Sequence, residues 1–212
     1  MASHEGQPLL HTGPELPQAA AVMILLHGRG AGASDILALA PHFPYPSLAF
    51  VAPQAEQSSW YPYSFLVPLQ QNRSGVDSAM RVISSLVLES ELQGIPKERV
   101  FLLGFSQGGC LALEFAAQHP ARYGGVFGLS GGLFGPPGTA WEYEGSLDGT
   151  PVFIGCSDVD PHIPRSRVQE TADALQRLGG DVTLSIYPGM GHTVSDAEIG
   201  AINAIIARSL DA

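Results

Sequence analysis

Residues 99–109 read Arg99-Val100-Phe101-Leu102-Leu103-Gly104-Phe105-Ser106-Gln107-Gly108-Gly109, an apolar run that passes through Gly-x-Ser-x-Gly into a helical pattern. A strand, a tight turn and a helix in that order are the context in which this motif forms a nucleophile elbow. Glycine is needed at 104 and 108 because the turn leaves no room for bulky side chains two positions from the serine. The stretch therefore predicts that Ser106 is an exposed nucleophile at the end of a strand.

Similar alternation of apolar runs and helical patterns continues along the whole chain. The strand candidates are residues 21–26, 48–51, 100–103, 125–129, 152–154 and 182–187. The helix candidates are residues 34–40, 76–92, 109–118, 164–178 and 195–209. Continuous apolar strands are typical of sheets covered on both faces. The alternation predicts an α/β fold with a doubly wound, mostly parallel sheet and helices on both faces, to which residues 9–11 add an antiparallel edge strand.

The composition limits the size and the partners of this fold. A chain of 212 residues with 45% hydrophobic and 14% charged residues is expected to form one domain over residues 1–212. A net charge of −10 with Lys97 as the only lysine argues against binding to nucleic acid or anionic membranes. No secretory signal opens the sequence, and its longest apolar stretch, residues 19–26, is too short for stable membrane insertion. We therefore expect a cytoplasmic protein.

A serine hydroxyl becomes nucleophilic only when a base takes its proton and an acid orients that base. In parallel sheets the functional groups gather at the carboxyl ends of strands, so the base and the acid are expected in the loops that follow strands. His192, in the loop after the last strand, is the predicted base. The loop after residues 152–156 offers Asp158 and Asp160 as the acid. The Pro-x-x-Pro sequence that follows Asp160 stiffens its turn and favours it, while Asp158 stays an alternative.

Two backbone N–H groups are predicted to form an oxyanion hole. One belongs to Gln107, directly after the nucleophile, and the other to Arg29 in the glycine-rich residues 26–32. The Arg29 guanidinium is expected either to be solvated or salt-bridged or to meet an anionic substrate. No Lys-Ser or Lys-Thr pair follows this loop and its glycine spacing is not that of a dinucleotide site, so we expect no cofactor. His-Glu-x-x-His and Cys-x-x-Cys are absent from the sequence, and we expect no metal.

Residues 53–74 form an aperiodic segment rich in aromatic side chains, which we call the aromatic loop. Trp60, Tyr61 and Phe65 in this segment are predicted to line a substrate pocket, or else to pack their loop onto the sheet. Cys110 and Cys156 are predicted to be buried thiols, and a disulfide between them stays open. The sequence also leaves a homodimer open.

Five motifs occur in an order that resembles the phospholipase/carboxylesterase family of α/β-hydrolases, which includes bacterial carboxylesterases and acyl-protein thioesterases. They are Leu25-Leu26-His27-Gly28-Arg29-Gly30, Ser59-Trp60-Tyr61, Gly104-Phe105-Ser106-Gln107-Gly108-Gly109, Asp158-Val159-Asp160-Pro161 and Gly191-His192. The resemblance covers essentially the whole chain. It implies a single α/β-hydrolase domain and a metal-independent serine hydrolase that acts on carboxylic esters. It also supports Asp160 as the acid, although the acid loop looks longer here than in the family.

The chain is too short to hold a large cap domain over the site, so we expect small-molecule esters with short to medium acyl chains as substrates. A thioesterase or a lysophospholipase would use the same machinery and differ only in its pocket. A non-catalytic ligand-binding protein built on the same fold is the third interpretation, because a fold alone does not determine function.

Overall fold

Seven strands form one sheet in the computed structural model, which describes residues 3–211. They are β1 (Leu9–Thr12), β2 (Ala21–Leu26), β3 (Leu48–Pro53), β4 (Val100–Phe105), β5 (Gly125–Leu129), β6 (Pro151–Ser157) and β7 (Asp181–Tyr187). Their order across the sheet is β1-β3-β2-β4-β5-β6-β7. The edge strand β1 runs antiparallel to β3, and every other neighbouring pair is parallel. The predicted mostly parallel sheet with an antiparallel edge strand is confirmed.

Five helices connect or flank these strands. They are α1 (Ala33–Leu37), α2 (Arg73–Leu92), α3 (Gln107–Gln118), α4 (Arg165–Arg177) and α5 (Asp196–Asp211). The first predicted helix is shorter than expected, because the chain leaves α1 at Leu37 and makes a separate 3-10 turn at Ala40–His42, with proline in its first turn. By contrast, α3 begins earlier than the pattern indicated, directly after Ser106.

The helices pack on both faces of the sheet and give it two apolar cores. On one face, Ile83 of α2, Leu111 of α3 and Leu175 of α4 are buried together against the strands. On the other face, Ile36 of α1 and Ile202 of α5 are buried against alternate residues of the same strands. All six residues of β2 are inaccessible to solvent, which explains its uninterrupted apolar sequence.

The carboxyl ends of β2, β4, β6 and β7 lie at one edge of the sheet because these strands are parallel. Two long connections contain no α-helix: residues 54–72, which include only short 3-10 turns, and residues 130–150. The fold therefore carries no helical cap between β5 and β6. Within residues 3–211, no helix combines the length and the apolar character that crossing a bilayer requires. The single domain over residues 1–212 and the cytoplasmic location stay predictions.

Candidate active site

Ser106 lies on a strained turn between β4 and α3. Its φ of 55° and ψ of −115° place a non-glycine residue in a region that L-amino acids rarely adopt, as is common for residues at functional sites. The elbow depends on close backbone approach at both glycines. A Cβ atom on Gly104 would lie 2.0 Å from the carbonyl oxygen of Gly108, and one on Gly108 would lie 2.0 Å from that of Leu26. The predicted need for glycine at both positions is confirmed.

The structure brings Ser106, His192 and Asp160 together from three separate loops. Nε2 of His192 lies 2.9 Å from Oγ of Ser106, and Nδ1 of the same ring lies 2.7 Å from Oδ2 of Asp160. The imidazole side chain is 20% exposed and the Asp160 side chain is fully buried. One ring therefore joins a hydroxyl that faces solvent to a carboxylate that does not.

Asp160 sits in a turn that stabilises its ionised form. Its Oδ1 accepts hydrogen bonds from the backbone N–H groups of His162 at 2.8 Å and Ile163 at 3.1 Å. Burial by itself raises the pKa of the Asp160 carboxyl, but the hydrogen bonds from His192 and from the His162 backbone outweigh burial and hold that pKa below its usual value. The carboxylate is therefore charged at neutral pH. Within residues 3–211, the alternative acid, Asp158, forms no hydrogen bond with the imidazole of His192 and instead accepts one from the backbone of Gly189 in the histidine loop.

The two predicted oxyanion donors have free backbone N–H groups. Within residues 3–211, neither the N–H of Arg29 nor that of Gln107 donates a hydrogen bond to another protein group. Gln107 is the first residue of α3, where backbone N–H groups lack partners in the helix and the helix dipole favours negative charge. Both N–H groups therefore lack a protein acceptor among the described residues, as an oxyanion donor must.

The Arg29 side chain forms hydrogen bonds that the sequence did not indicate. Its guanidinium donates to Oγ of Ser59 at 3.3 Å and to the backbone carbonyls of Pro62 at 3.0 Å and Tyr63 at 2.9 Å. It forms no salt bridge with a carboxylate in the described part of the chain. The guanidinium is exposed, as expected of a solvated arginine, and it also binds the aromatic loop, a contact that the sequence did not predict.

A cavity of about 500 Å³ opens beside Ser106 and His192. Its apolar wall comes from Tyr61, Phe65, Cys110 and Ile163, and its polar rim includes Arg29 and His162. Trp60, by contrast, does not line the cavity. The Trp60 side chain is fully buried beneath the loop, where its indole N–H donates to the carbonyl of His27 at 2.9 Å. Trp60 packs its loop onto the sheet, whereas Tyr61 and Phe65 lie where the sequence predicted.

Three features of the site escaped the sequence. The His162 ring lies edge-on to the His192 ring, with 4.9 Å between their centroids. A search of residues near Asp160 on the same loop would have found it. The buried thiol of Cys110 lies at the cavity wall, one helical turn after Ser106. Cys110 and Cys156 are both free thiols, so no disulfide joins them. The side chain of Gln107 binds the aromatic loop, and no sequence signal points to that contact.

Within residues 3–211, no cluster of three or more His, Cys, Asp or Glu side chains has the arrangement of a metal site.

An elbow at the carboxyl edge of a mostly parallel, doubly wound sheet defines an α/β-hydrolase fold. The sequence model of the family described as Phospholipase/Carboxylesterase matches residues 13–210. The chain therefore belongs to the phospholipase/carboxylesterase family, as the resemblance indicated.

Individual relatives agree with this membership. The crystal structure of a phospholipase/carboxylesterase from Dyadobacter fermentans is 41% identical, with a TM-score of 0.92 over 98% of this chain and 99% of that one. Acyl-protein thioesterase 1 of Eremothecium gossypii is 33% identical over 65% of this chain and 59% of its own length. Its counterpart in Gibberella zeae is 31% identical over 66% of this chain and 60% of its own. The match thus spans about three fifths of these two thioesterases. The structure of Zea mays acyl-protein thioesterase 2, at 19% identity and a TM-score of 0.75 over 96% and 99% of the two chains, shares the fold.

Proposed function

We propose that this protein is a serine carboxylesterase that hydrolyses small carboxylic esters with short to medium acyl chains. One observation carries the proposal: the imidazole of His192 is within hydrogen-bond distance of both the Ser106 hydroxyl and the buried Asp160 carboxylate. This is the geometry of a nucleophile, a general base and an orienting acid. The strained elbow and the free N–H groups beside it support the same proposal.

The reaction proceeds in two acyl-transfer steps. His192 takes the hydroxyl proton through Nε2 while Oγ of Ser106 attacks the ester carbonyl carbon. The carbonyl oxygen becomes an oxyanion that accepts hydrogen bonds from the N–H groups of Arg29 and Gln107. His192 then gives its proton to the leaving alcohol, and an acyl-enzyme remains. A water molecule, deprotonated by the same ring, attacks the acyl carbon and releases the acid and the serine.

Asp160 contributes by holding Nδ1 of His192 protonated, so that Nε2 is the nitrogen free to accept the serine proton. Its charge also stabilises the imidazolium that forms when the ring takes that proton. The lowered pKa of the Asp160 carboxyl keeps that charge in place at neutral pH. Every step uses groups of this chain and water, so the proposed reaction needs no cofactor and no metal.

The cavity supports the substrate class. Its wall of Tyr61, Phe65, Cys110 and Ile163 suits an apolar acyl group, and its volume is about 500 Å³. The connection from β5 to β6 contains no helix that could enclose a long chain. A homodimer plays no part in this proposal.

An acyl-thioesterase is the second candidate. Relatives 31% and 33% identical to this chain are named acyl-protein thioesterases. The same serine, base and oxyanion donors would cleave a thioester, with a thiol as the leaving group. A lysophospholipase is a further variant of this candidate. We therefore propose a direct comparison between an oxygen ester and a thioester that carry the same acyl group, together with a lysophospholipid.

Labelling with a fluorophosphonate probe tests the nucleophile. We expect the parent protein to be labelled at Ser106 and to hydrolyse p-nitrophenyl esters, and we expect Ser106→Ala to lose both properties while it keeps its circular dichroism spectrum. Hydrolysis by a folded Ser106→Ala protein would exclude the mechanism. A series of p-nitrophenyl esters with increasing acyl length then tests the substrate class, and highest activity on long-chain emulsions would contradict it.

A further inference from the structure

The segment Ser59–Tyr63 connects the two proposed oxyanion donors, and we call it the strap. Arg29 follows β2 and Gln107 begins α3, so these two residues belong to different elements. Both use their side chains to bind the strap. We propose that the strap positions the N–H groups of Arg29 and Gln107 for the oxyanion, and that both side chains act as positioning groups. The inference depends on the proposed function, because it assumes that these N–H groups bind the oxyanion.

The Arg29 side of the strap is held by a fork of neutral acceptors. The guanidinium donates to Oγ of Ser59 and to the carbonyls of Pro62 and Tyr63, over distances of 2.9–3.3 Å. A planar guanidinium with several partners has a fixed direction. The next residue, Gly30, donates its backbone N–H to the carbonyl of Ser58 at 2.8 Å, directly before the strap. The backbone around the Arg29 N–H is therefore fixed relative to the strap.

The Gln107 side is held by a buried pair of hydrogen bonds. Oε1 of Gln107 accepts the backbone N–H of Trp60 at 3.0 Å, and Nε2 donates to the carbonyl of Tyr61 at 2.8 Å. Gln107 is only 5% exposed, so water cannot replace these partners at low cost. The Trp60 indole N–H, bonded to the carbonyl of His27, fixes the strap from below. The strap is thus tied to the start of α3 as well as to the loop after β2.

The distance between the two N–H groups therefore depends on the strap as well as on the sheet. An oxyanion donor is effective only when it lies about 2.7–3.1 Å from the oxygen that gains charge. Removal of a side-chain hydrogen bond to the strap would allow the distance between the two N–H groups to change, while both N–H groups remain present. Such a change weakens transition-state binding more than substrate binding, which lowers kcat and leaves KM nearly unchanged.

Arg29→Met and Gln107→Met test this inference, because each keeps its backbone N–H and much of its side-chain length but loses the bonds to the strap. Arg177→Met serves as the matched control, since Arg177 is exposed at the end of α4 and does not line the cavity. The measurements are KM and kcat for one p-nitrophenyl ester, with kcat calculated from the maximal rate and the active-site concentration given by fluorophosphonate titration. A phenylboronic acid, which forms a tetrahedral adduct with a reactive serine, supplies a second readout through its Kd.

We expect kcat to fall about tenfold to a hundredfold in both strap variants, since loss of a whole oxyanion donor typically costs about a hundred- to a thousandfold. KM should change less than about threefold, and the Kd of the boronic acid should rise in parallel with the loss in kcat/KM. Arg29→Lys, which keeps the charge and can restore one bond, should recover part of kcat. Arg177→Met should match the parent protein in all three values.

Two outcomes overturn the inference. If both variants keep the parent kcat per titrated site and bind the boronic acid equally well, the strap does not position the donors. If they lose only thermal stability or the fraction of titratable sites, the side chains have a purely structural role. Should Arg29→Met fail to fold, Gln107→Met decides the inference by itself, because it removes the other pair of hydrogen bonds to the strap. Failure of the proposed function looks different, because the parent protein would then neither hydrolyse esters nor bind the boronic acid.

Discussion

Asp158 accepts a hydrogen bond through Oδ1 from the backbone N–H of Gly189, over a distance of 2.8 Å. This bond ties the loop after β6 to the loop after β7, three residues before His192. The Oγ atom of Ser157 adds a second tie by accepting the N–H of Gly191 at 3.0 Å. The two neighbouring aspartates therefore have different contacts. Asp158 holds the backbone of the histidine loop, whereas Asp160 holds the imidazole ring itself.

Replacement of each aspartate by asparagine distinguishes their proposed roles. Asp160→Asn should lower kcat by roughly three to four orders of magnitude, because an amide cannot hold the imidazole in the reactive tautomer or stabilise its charge. Asp158→Asn keeps an oxygen for the Gly189 N–H, and we expect a loss of no more than about tenfold, since one hydrogen bond contributes about 0.5–1.5 kcal/mol. Steady-state kinetics on one ester gives both values. A larger loss in Asp158→Asn would reverse the assignment.

Two glycines of the site differ in what an added methyl group would meet. A Cβ atom on Gly108 would lie 2.0 Å from the backbone oxygen of Leu26, whereas one on Gly30 would meet no atom within 4 Å. Gly108→Ala should lose more than about 3 kcal/mol of unfolding free energy or fail to fold, because two backbones must separate. Gly30→Ala should lose only about 1–2 kcal/mol, from its φ of +78°. Urea denaturation of both variants checks this order, and equal losses would contradict it.

The sheet could be predicted because its strands have simple environments. β2 and β4 are covered on both faces, so their sequences are uninterrupted apolar runs. The positions of Ser106, Asp160 and His192 could be predicted because parallel strands place their carboxyl ends at one edge. For these three side chains, the order and direction of the strands restrict the positions that they can occupy.

The contacts of Trp60, Gln107 and the Arg29 guanidinium could not be predicted. All three involve residues 54–72, which have no periodicity and follow a path fixed by contacts far apart in sequence. Gln107 meets partners 46 and 47 residues away, and Arg29 meets partners 30 to 34 residues away. Most of these partners are backbone groups, which every residue possesses and which leave no signature in a sequence.

Glu114 provides a prediction about pH. This residue of α3 is 2% exposed, and burial raises the pKa of its carboxyl in spite of hydrogen bonds from Gln118, Tyr143 and the Phe134 backbone. The folded protein therefore holds this proton more tightly than the unfolded chain does. As pH rises above the unfolded pKa of about 4.3, the unfolded chain ionises first and the folded state loses stability until the raised pKa is passed.

Glu114→Gln removes this titration and keeps a side-chain oxygen as an acceptor. We expect the parent protein to exceed the variant in Tm most at pH 4.5, and we expect the difference to shrink as the pH approaches neutrality. Glu198, whose carboxyl pKa burial also raises, titrates in both proteins and cancels in the comparison. Differential scanning calorimetry between pH 4.5 and 8 measures the difference. A constant difference over that range would show that Glu114 does not titrate as burial requires.

The His162 ring meets the His192 ring at an interplanar angle of 72°, and we expect this contact to limit rotation of the base. The backbone N–H of His162, not its ring, bonds Asp160, so His162→Ala keeps the acid in place. An edge-to-face aromatic pair contributes about 0.5–1.5 kcal/mol, which predicts a loss in kcat of about two- to tenfold and a fall in Tm of no more than about 5 °C. His162→Phe keeps the ring edge but cannot carry a proton, and it should retain the parent kcat. If the kcat of His162→Phe is instead as low as that of His162→Ala, the ring acts through its polar nitrogens. If both variants keep the parent kcat, the contact does not restrain His192.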